Sequence, residues 1–157
     1  MRILHVETGR HVYGGARQVL HLLQGLPDIS DCENILACAS DSAVGIAARG
    51  VADEVYPLPC RGDLDPGFAM RLRKLLRPTK PDIMHVHSRR GADVWSGLAA
   101  ARSGVRTVIS RRVDNPESKL QVRLKYGLYD RVIAISQGIM HVLLQEGVPE
   151  NKLVCVP

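Results

Sequence analysis

Short apolar runs rich in valine and isoleucine alternate with helix-like segments from one end of the chain to the other. Strands buried on both faces of a parallel sheet have this composition, whereas half-exposed strands alternate apolar and polar residues. Because parallel strands need right-handed crossovers, the alternation predicts an α/β fold, a doubly wound parallel sheet of about seven strands with helices on both faces. The runs cover residues 2–6, 33–38, 53–57, 82–87, 105–110, 131–135 and 153–156.

The segments between these runs carry helix signals. Asp65-Pro66 supplies an N-cap followed by proline at the first helical position. Asn115-Pro116-Glu117 predicts the same kind of start for a later helix, and Ser136 is the expected cap of the last one. The predicted helices cover residues 16–26, 66–77, 90–103, 116–127 and 137–146.

The amino-acid composition limits the class of protein. With 157 residues, 45% of them apolar, we expect one domain spanning residues 1–157. No apolar run reaches the roughly 20 residues of a membrane-spanning helix, and the N-terminus lacks a secretory signal. The four cysteines form no C-x-x-C pair, and Cys38 and Cys155 are expected in the core. These observations predict a cytoplasmic protein with no metal site.

The formal net charge of +5 favours anionic partners, among them nucleic acids, membranes and phosphorylated ligands. RNA recognition usually adds aromatic side chains on which bases stack. Because Phe68 and Trp95 are the chain's only Phe and Trp, the composition disfavours nucleic acid.

The loop after the first strand ends in Gly14-Gly15 and leads into the first predicted helix at Ala16. In doubly wound sheets, ligands bind where the strand order reverses, which for the order 3-2-1-4-5 lies between the first and fourth strands. Paired glycines let a ligand approach the backbone, and the amides of a helix N-terminus favour phosphate or sugar oxygens. The loop matches neither the dinucleotide nor the P-loop fingerprint, so a turn without a ligand is the alternative.

The fourth run ends in His85-Val86-His87, which places both imidazoles on one face of the strand. His87 is the last strand residue, and the expected strand order sets it across the crevice from Gly14-Gly15. We therefore predict a functional role for His87. His85 lies one layer deeper, and we predict a core histidine that satisfies buried polar groups.

Basic residues occur at one strand end and on two predicted helices. Arg111 and Arg112 end the fifth run, where they could clamp a phosphate or carboxylate, with a solvated basic loop as the alternative. Basic helix residues are usually a solvated face but can rest on an anionic bilayer. These helix residues are Arg71, Lys74, Arg77, Lys119 and Arg123.

Four motifs, in this order, resemble the N-terminal domain of family 4 (group 1) glycosyltransferases. Residues 2–6 with 14–19 are similar to the family's opening, and residues 81–87 resemble its P-D-[IV]-[IV]-H-x-H strand. Residues 130–136 and the segment 147–157 resemble the end of that domain. One departure is Arg17, which follows Gly14-Gly15-Ala16 where the family often has Glu.

The resemblance implies a Rossmann-like domain that is one half of a GT-B architecture. In that family the N-terminal half mainly recognises the acceptor, and the C-terminal half, absent from this chain, mainly holds the nucleotide-sugar donor. The resemblance also implies transfer with retention of anomeric configuration and without a required metal or other cofactor. The implied acceptor is a glycan, a lipid-linked sugar, a phospholipid or a lipopolysaccharide core, in the cytoplasm or at the inner face of the membrane.

By position, the resemblance makes His87 the candidate catalytic residue. It makes Gly14, Gly15, Arg17, Arg111 and Arg112 candidates for binding donor phosphates or the acceptor. Two other functions stay open: a stand-alone nucleotide-binding or regulatory module, and a basic domain that docks on a membrane or partner without catalysis. The chain ends directly after an apolar run, and we expect it to be the acceptor-side half of a longer enzyme that is inactive without its other half.

Overall fold

Seven parallel strands form the centre of the molecule. The computed structural model of the chain describes residues 1–87, 91–113 and 115–157. The strands are β1 (Arg2–Glu7), β2 (Glu33–Ala39), β3 (Glu54–Leu58), β4 (Ile83–His87), β5 (Arg106–Arg111), β6 (Arg131–Ala134) and β7 (Leu153–Cys155). They pair in the order β3-β2-β1-β4-β5-β6-β7.

Helices connect successive strands throughout the described residues. A short 3-10 turn at Glu150–Lys152 precedes β7. The helices are α1 (Gly14–Ile29), α2 (Ala43–Ala47), α3 (Pro66–Thr79), α4 (Ala92–Ala100), α5 (Lys119–Gly127) and α6 (Gln137–Gln145).

Each face of the sheet buries its own apolar layer. On one face, side chains such as Leu4, Met84 and Ile109 pack against α3, α4, α5 and α6. On the other face, Leu36 and Cys38 pack against α1 and α2. The strands are therefore buried from both sides, and the predicted Rossmann-like, doubly wound fold is confirmed.

The order in which successive strands are added to the sheet reverses at β1. Strand β1 lies between β2 and β4, so the first crossovers lead one way and the later ones lead the other way. Ile3 pairs with Ile83 and His5 with His85, which fixes the register across this boundary. The predicted reversal between the first and fourth strands is confirmed, and it puts the ends of β1 and β4 side by side.

Two predicted helix starts differ from the structure. Helix α1 begins at Gly14 rather than Ala16, so the paired glycines form its first turn. Helix α5 begins at Lys119 rather than at 116, because Ser118 and Gln121 form a capping box with the backbone amides. Asn115-Pro116-Glu117 is an equally good cap signal in sequence, but Glu117 is engaged in ion pairs with Arg111 and Lys125.

Two further details depart from expectation. The helix predicted over 90–103 is shorter in the described residues, at Ala92–Ala100, and α2, with its five residues, was not predicted because it is too short to show a period. Cys38 is buried as expected, but Cys155 is only half-buried. Cys155 lies on β7, which pairs with β6 alone at the edge of the sheet.

Candidate functional site

The first turn of α1 faces the crevice beyond the carboxyl ends of β1 and β4. Tyr13 precedes it in an extended conformation, without a side-chain cap. Neither Gly14 nor Gly15 has a positive φ, so the turn does not demand glycine for its backbone. A Cβ on Gly15 would lie 2.8 Å from Nη1 of Arg112, whereas a Cβ on Gly14 would meet nothing within 4 Å. Gly15 therefore makes room for Arg112.

Arg112, which follows β5, contacts the first turn of α1 and the last residues of β1 and β4. Its Nη1 donates to the carbonyl oxygen of Gly15 and lies 3.8 Å from Oε2 of Glu7. Its Nη2 donates to Nδ1 of His87 at 2.6 Å. The buried Nε has no hydrogen-bond partner among the described residues. Arg112 is thus a cation held at the point where the strand order reverses.

His87 lies directly beneath Arg112 and is only 1% exposed. Its Nε2 is 3.1 Å from Nδ1 of His5, so both of its ring nitrogens have partners within the protein. Nε2 of His5 in turn is 3.2 Å from Oδ1 of Asn34. His87 ends β4 as predicted, but its nitrogens point at protein groups rather than into open space.

His85 is the more accessible of the two β4 histidines, the reverse of the expected order. Its Nε2 is 2.7 Å from Oγ of Ser110, and it borders a cavity of about 320 Å³ beside α1, β5 and β6. Arg112 covers His87 but leaves one side of His85 open to this cavity. Position along a strand therefore did not predict burial here.

Burial keeps the three histidines uncharged. It lowers the pKa of His5 to about 4, although the hydrogen bond to Asn34 opposes the shift. It lowers the pKa of His85 to about 3, with His5 and Arg112 adding to the effect. Burial, followed by His85, His5 and Arg112, holds the pKa of His87 well below 6.5. At neutral pH each ring therefore offers one N–H donor and one acceptor nitrogen.

The same three histidines are close enough for their ring nitrogens to be considered as metal ligands. One nitrogen from each of His5, His85 and His87 lies within 4.8 Å of the others. The arrangement around them fits a metal poorly, because Arg112 donates to Nδ1 of His87. A neutral His87 that accepts there carries its proton on Nε2, the nitrogen that faces His5.

Arg111 lies on the opposite face of the sheet from Arg112, because side chains alternate along a strand. It donates from Nε to the carbonyl oxygen of Val113 at 2.7 Å and from Nη2 to that of Asn115. Nη1 forms an ion pair with Glu117 at 3.0 Å. Arg111 therefore holds the loop after β5, and direct contact with a ligand would require that loop to open.

Glu117 continues this charged network into α5 and α4. It pairs with Lys125 at 2.7 Å, and Lys125 lies 3.5 Å from Asp93 on α4. The ion pairs with Lys125 and Arg111 hold the pKa of Glu117 below its usual value despite burial. Sequence reasoning missed Lys125 and Asp93, whose helical positions gave no sign that they pair in the interior.

The basic helix residues differ in their exposure. Arg71 pairs with Asp65, the residue at the N-cap position of α3, so it is not an unpaired surface cation. Lys74, Arg77, Lys119 and Arg123 are exposed. On α5, the exposed apolar side chains of Leu120 and Leu124 lie beside Lys119 and Arg123. Helix α5 thus combines basic and apolar groups on its outer surface.

A second cavity, of about 450 Å³, lies at the amino ends of β4 and β5, between the end of α3 and the start of β5. Arg73, Arg77 and Lys80 line it, far from the reversal point, so we do not connect it with Arg112. Ser88, Arg89 and Arg90, which follow β4, and Asp114, in the loop after β5, lie outside the described residues. No helix in the described part of the chain is long and apolar enough to cross a membrane.

The fold and this crevice define a Rossmann-like domain with a cation at the strand-order reversal. The family model described as Glycosyltransferase Family 4 matches residues 12–157. The chain therefore belongs to Glycosyltransferase Family 4. No curated protein sequence matches it significantly.

Solved structures share the fold at low sequence identity. HepE from Anabaena, in complex with UDP and glucose, has a TM-score of 0.77 at 16% identity; the match covers 99% of this chain and 44% of that one. A glycosyltransferase from Rickettsia africae has a TM-score of 0.74 at 18% identity, covering 98% and 42%. UDP-GlcNAc 2-epimerase from Neisseria meningitidis, bound to UDP-GlcNAc, has a TM-score of 0.74 at 16% identity, covering 99% and 45%. The chain thus spans less than half the length of these proteins and has the fold of one half of a GT-B architecture.

Proposed function

We propose that this chain is the acceptor-side half of a retaining, metal-independent glycosyltransferase. The whole enzyme moves a sugar from a nucleotide-sugar donor to a glycan, lipid-linked or lipopolysaccharide acceptor. The observation that carries the proposal is Arg112, whose guanidinium lies at the reversal point against the first turn of α1 and above His87. A cation beside the amides of a helix N-terminus is suited to phosphate or carboxylate groups.

The proposed donor is a uridine diphosphate sugar, held mainly by residues outside this chain. The HepE structure is a complex with UDP and glucose, and the epimerase structure is bound to UDP-GlcNAc. Family membership over residues 12–157 supports sugar transfer in the whole protein. Retention, the acceptor and the absence of a metal requirement rest on resemblance to the family.

In the proposed reaction, a bond forms between the acceptor oxygen and the anomeric carbon while the bond from that carbon to the departing phosphate breaks. The acceptor proton goes to an oxygen of the departing phosphate. In this proposal Arg112, Gly14 and Arg17 hold charged oxygens of the donor or acceptor, and the exposure of Gly14 and Arg17 supports that role. His87 supports Arg112 from below, and a direct contact between His87 and the sugar requires Arg112 to move aside.

The competing functions make different predictions for the isolated chain. A stand-alone nucleotide-binding module would bind UDP tightly without further residues. The likeness to epimerases extends to the same share of the chain as the likeness to glycosyltransferases, so fold alone does not separate the two. Family membership favours transfer.

We also propose that the protein works in the cytoplasm, at the inner face of a membrane. Exposed Leu120 and Leu124 beside Lys119 and Arg123 support this placement, since basic and apolar groups on one helix suit an anionic bilayer. Docking without catalysis is the alternative for this surface.

Binding measured by NMR on the ¹⁵N-labelled chain tests the proposal. A phosphorylated lipopolysaccharide core oligosaccharide is expected to shift the amides of Gly14 and Gly15 and the Nε–H of Arg112, whereas UDP-glucose alone binds more weakly than about 1 mM. Arg112→Gln should abolish the response to the oligosaccharide. Lys80→Gln, at the amino end of β4, should keep it. Tight binding of UDP with no response to any acceptor would instead identify a nucleotide module.

A further inference from the structure

A chain of hydrogen bonds runs from the crevice into the interior on the α1 face of the sheet. It begins at Arg112, passes through His87 and His5, and ends at Asn34 on β2. The three separations are 2.6, 3.1 and 3.2 Å. His5, Asn34 and His87 are 0%, 0% and 1% exposed, so water does not compete for these bonds.

The groups at the two ends of this chain of hydrogen bonds fix the direction in which its members donate. The guanidinium of Arg112 can only donate, so Nδ1 of His87 must accept, and the proton of a neutral His87 then lies on Nε2. That proton is donated to Nδ1 of His5, whose own proton lies on Nε2 and is donated to Oδ1 of Asn34. The amide nitrogen of Asn34, 3.5 Å from Sγ of Cys32, is directed away from His5. Each of the three hydrogen bonds between these four side chains therefore joins a donor to an acceptor.

We propose that Asn34 and His5 are positioning residues that act through His87 to hold the guanidinium of Arg112 at the reversal point. Asn34 sets the tautomer of His5, which sets that of His87, which presents a lone pair to Arg112. If this direction were reversed, His87 would place an N–H against a guanidinium N–H. The crevice cation is thus controlled from β2, two strands away from β4.

Among residues 1–87, 91–113 and 115–157, few other charged or titratable groups face this chain of hydrogen bonds. Glu7 on β1 lies beside Arg112, and His85 on β4 contacts His87 with ring centroids 4.1 Å apart and the rings tilted by 36°. His21 on α1 borders the same cavity as His85 and Arg112. Because His85 bonds to Ser110 and takes no part in the chain from Asn34 to Arg112, it provides a matched control.

The substitution Asn34→Asp tests the inference because it changes charge with little change in shape. A carboxylate beside Nε2 of His5 favours the imidazolium form, and a protonated His5 must donate from Nδ1 to His87. His87 then has to accept at Nε2 and carry its proton on Nδ1, against Arg112. On acidification of this variant, Arg112 loses the hydrogen bond from Nη2 to His87. The protection of its Nε–H against exchange, relative to a free arginine at the same pH, should then fall about tenfold, the effect of losing one hydrogen bond to a charged group.

The readout is ¹⁵N NMR of the 157-residue chain, with tautomers from long-range ¹⁵N–¹H correlations. We expect both His87 and His5 to carry the proton on Nε2 in the wild type. The protection of the Arg112 Nε–H, which is its exchange rate relative to that of a free arginine at the same pH, should not change between pH 5 and 8, roughly the range in which an ordinary histidine titrates. His5→Phe should release Arg112 at every pH. His85→Phe should lower the melting temperature by a comparable amount but leave Arg112 unchanged.

Three results would overturn the inference. One is a proton on Nδ1 of His87 in the wild type. Another is Arg112 exchange in Asn34→Asp that matches the wild type at every pH. The third is tight binding of Co²⁺ by the wild-type chain with a loss of that binding in His5→Phe, since a metal would need the lone pairs that the hydrogen bonds use.

The inferred role in catalysis rests on the proposed function, and the two can fail separately. In a full-length transferase, Asn34→Asp should move the acid limb of the pH–rate profile to higher pH. If the NMR results hold but the profile of that enzyme does not change, the positioning of Arg112 stands and its proposed contact with substrate is wrong.

Discussion

At the scale of single residues, the account depends on how Gly15 admits Arg112. A side chain at this position would meet Nη1 of Arg112 at 2.8 Å, although the backbone itself is unstrained. We predict that Gly15→Val lowers acceptor binding and transfer much more than it lowers the melting temperature. Gly138→Val is the matched control, since Gly138 is likewise the second residue of its helix and a Cβ there would meet only Oγ of Ser136, at an ordinary contact distance of 3.8 Å.

Thermal melts of the two valine variants, and their initial rates in a longer protein that includes a donor-binding half, check this prediction. Both lose a little stability, because β-branched residues are only moderate helix formers. Only Gly15→Val should lose binding. Equal losses of binding in both variants, or a large drop in melting temperature with normal activity for Gly15→Val, would mean that Gly15 is a purely structural glycine.

The buried histidines also predict a pH dependence of stability. In the unfolded chain they bind protons near pH 6.5, but in the folded protein the pKa of His5 is about 4 and that of His85 about 3. Between these values the unfolded state binds more protons, so stability is fully present above pH 6.5 and falls on acidification. The loss approaches about 1.4 kcal/mol per pH unit for each histidine.

Urea denaturation at pH values between 7.5 and 5 measures this loss. The pKa of Glu117 lies below its usual value, so that carboxylate titrates below this window. His5→Gln should flatten the dependence, and His141→Gln, at an exposed position on α6, should leave it as in the wild type. A stability that is constant from pH 7.5 to 5 would contradict the account.

Single residues also show where sequence reasoning succeeds and where it stops. The positions of His87 and Arg112 at the ends of strands could be predicted because strand ends can be read from a pattern, whereas their roles stay predictions. His5, Asn34 and Glu7 were missed, because their contacts depend on the register of three strands and on rotamers that no pattern encodes. His85 is less buried than its position in β4 predicted, because the cavity beside it is formed by neighbouring elements rather than by its own strand.

At the scale of elements, the sequence predicted all seven strands, and the boundaries were less certain. Parallel strands buried on both faces leave a strong apolar signal, which is why all of them could be located. The order was taken from the common doubly wound arrangement, and the structure has it. The start of α5 was misplaced because two cap signals lie three residues apart. The choice between Asn115 and Ser118 depends on ion pairs of Glu117 that only the folded chain brings together.

The start of α4 gives an element-scale prediction. Gly91 has a φ of +73°, and a Cβ there would overlap the backbone of Asp63 in the loop before α3. Gly104 has a similar φ of +80° but nothing within 4 Å. Gly91→Ala should therefore destabilise the fold by about 2–4 kcal/mol, combining backbone strain with overpacking, and Gly104→Ala by about 1 kcal/mol from strain alone.

Chemical denaturation of the two alanine variants separates these contributions. The indole Nε1 of Trp95 donates to the carbonyl oxygen of Asp63 at 2.9 Å, so tryptophan fluorescence reports on the same loop. Only Gly91→Ala should change that fluorescence in the native state. Equal free energies of unfolding for the two variants would show that the loop gives way at no cost.

Helix α5 predicts membrane association. Leu120 and Leu124 are 68% and 65% exposed, beside Lys119 and Arg123. The chain should sediment with vesicles that contain phosphatidylglycerol, and Lys119→Gln/Arg123→Gln should weaken binding about 30-fold, at about 1 kcal/mol for each basic residue. The matched control is Ile46→Ser/Arg49→Gln, an exposed apolar and basic pair near α2 on the other layer. If the control loses as much binding, or the wild type does not bind, α5 has no role at a membrane.

At the scale of the whole molecule, the domain is polarised. The crevice with Arg112 lies at the carboxyl ends of the strands. A cavity lined by Arg73, Arg77 and Lys80 lies at the amino ends of β4 and β5. The solved structures that share this fold are more than twice as long as the chain. The sequence alone predicted the fold, and ligand binding at the carboxyl ends of the strands stays a prediction. The sugar and acceptor could not be predicted, because the contacts that select them are not contained in strand and helix patterns.

The central claim is that these residues form the acceptor-side half of a glycosyltransferase. Transfer of radiolabelled sugar from UDP-sugars to glycan and lipid-linked acceptors tests it, for the chain alone and for a longer protein that joins residues 1–157 to a donor-binding half. We predict no transfer by the chain alone, transfer by the longer protein, and a roughly 100-fold lower rate in its Arg112→Gln variant, the usual effect of losing one charge-stabilising donor. Arg49→Gln should keep the full rate. Transfer by the chain alone, or an Arg112→Gln variant as fast as the wild type, would contradict the account.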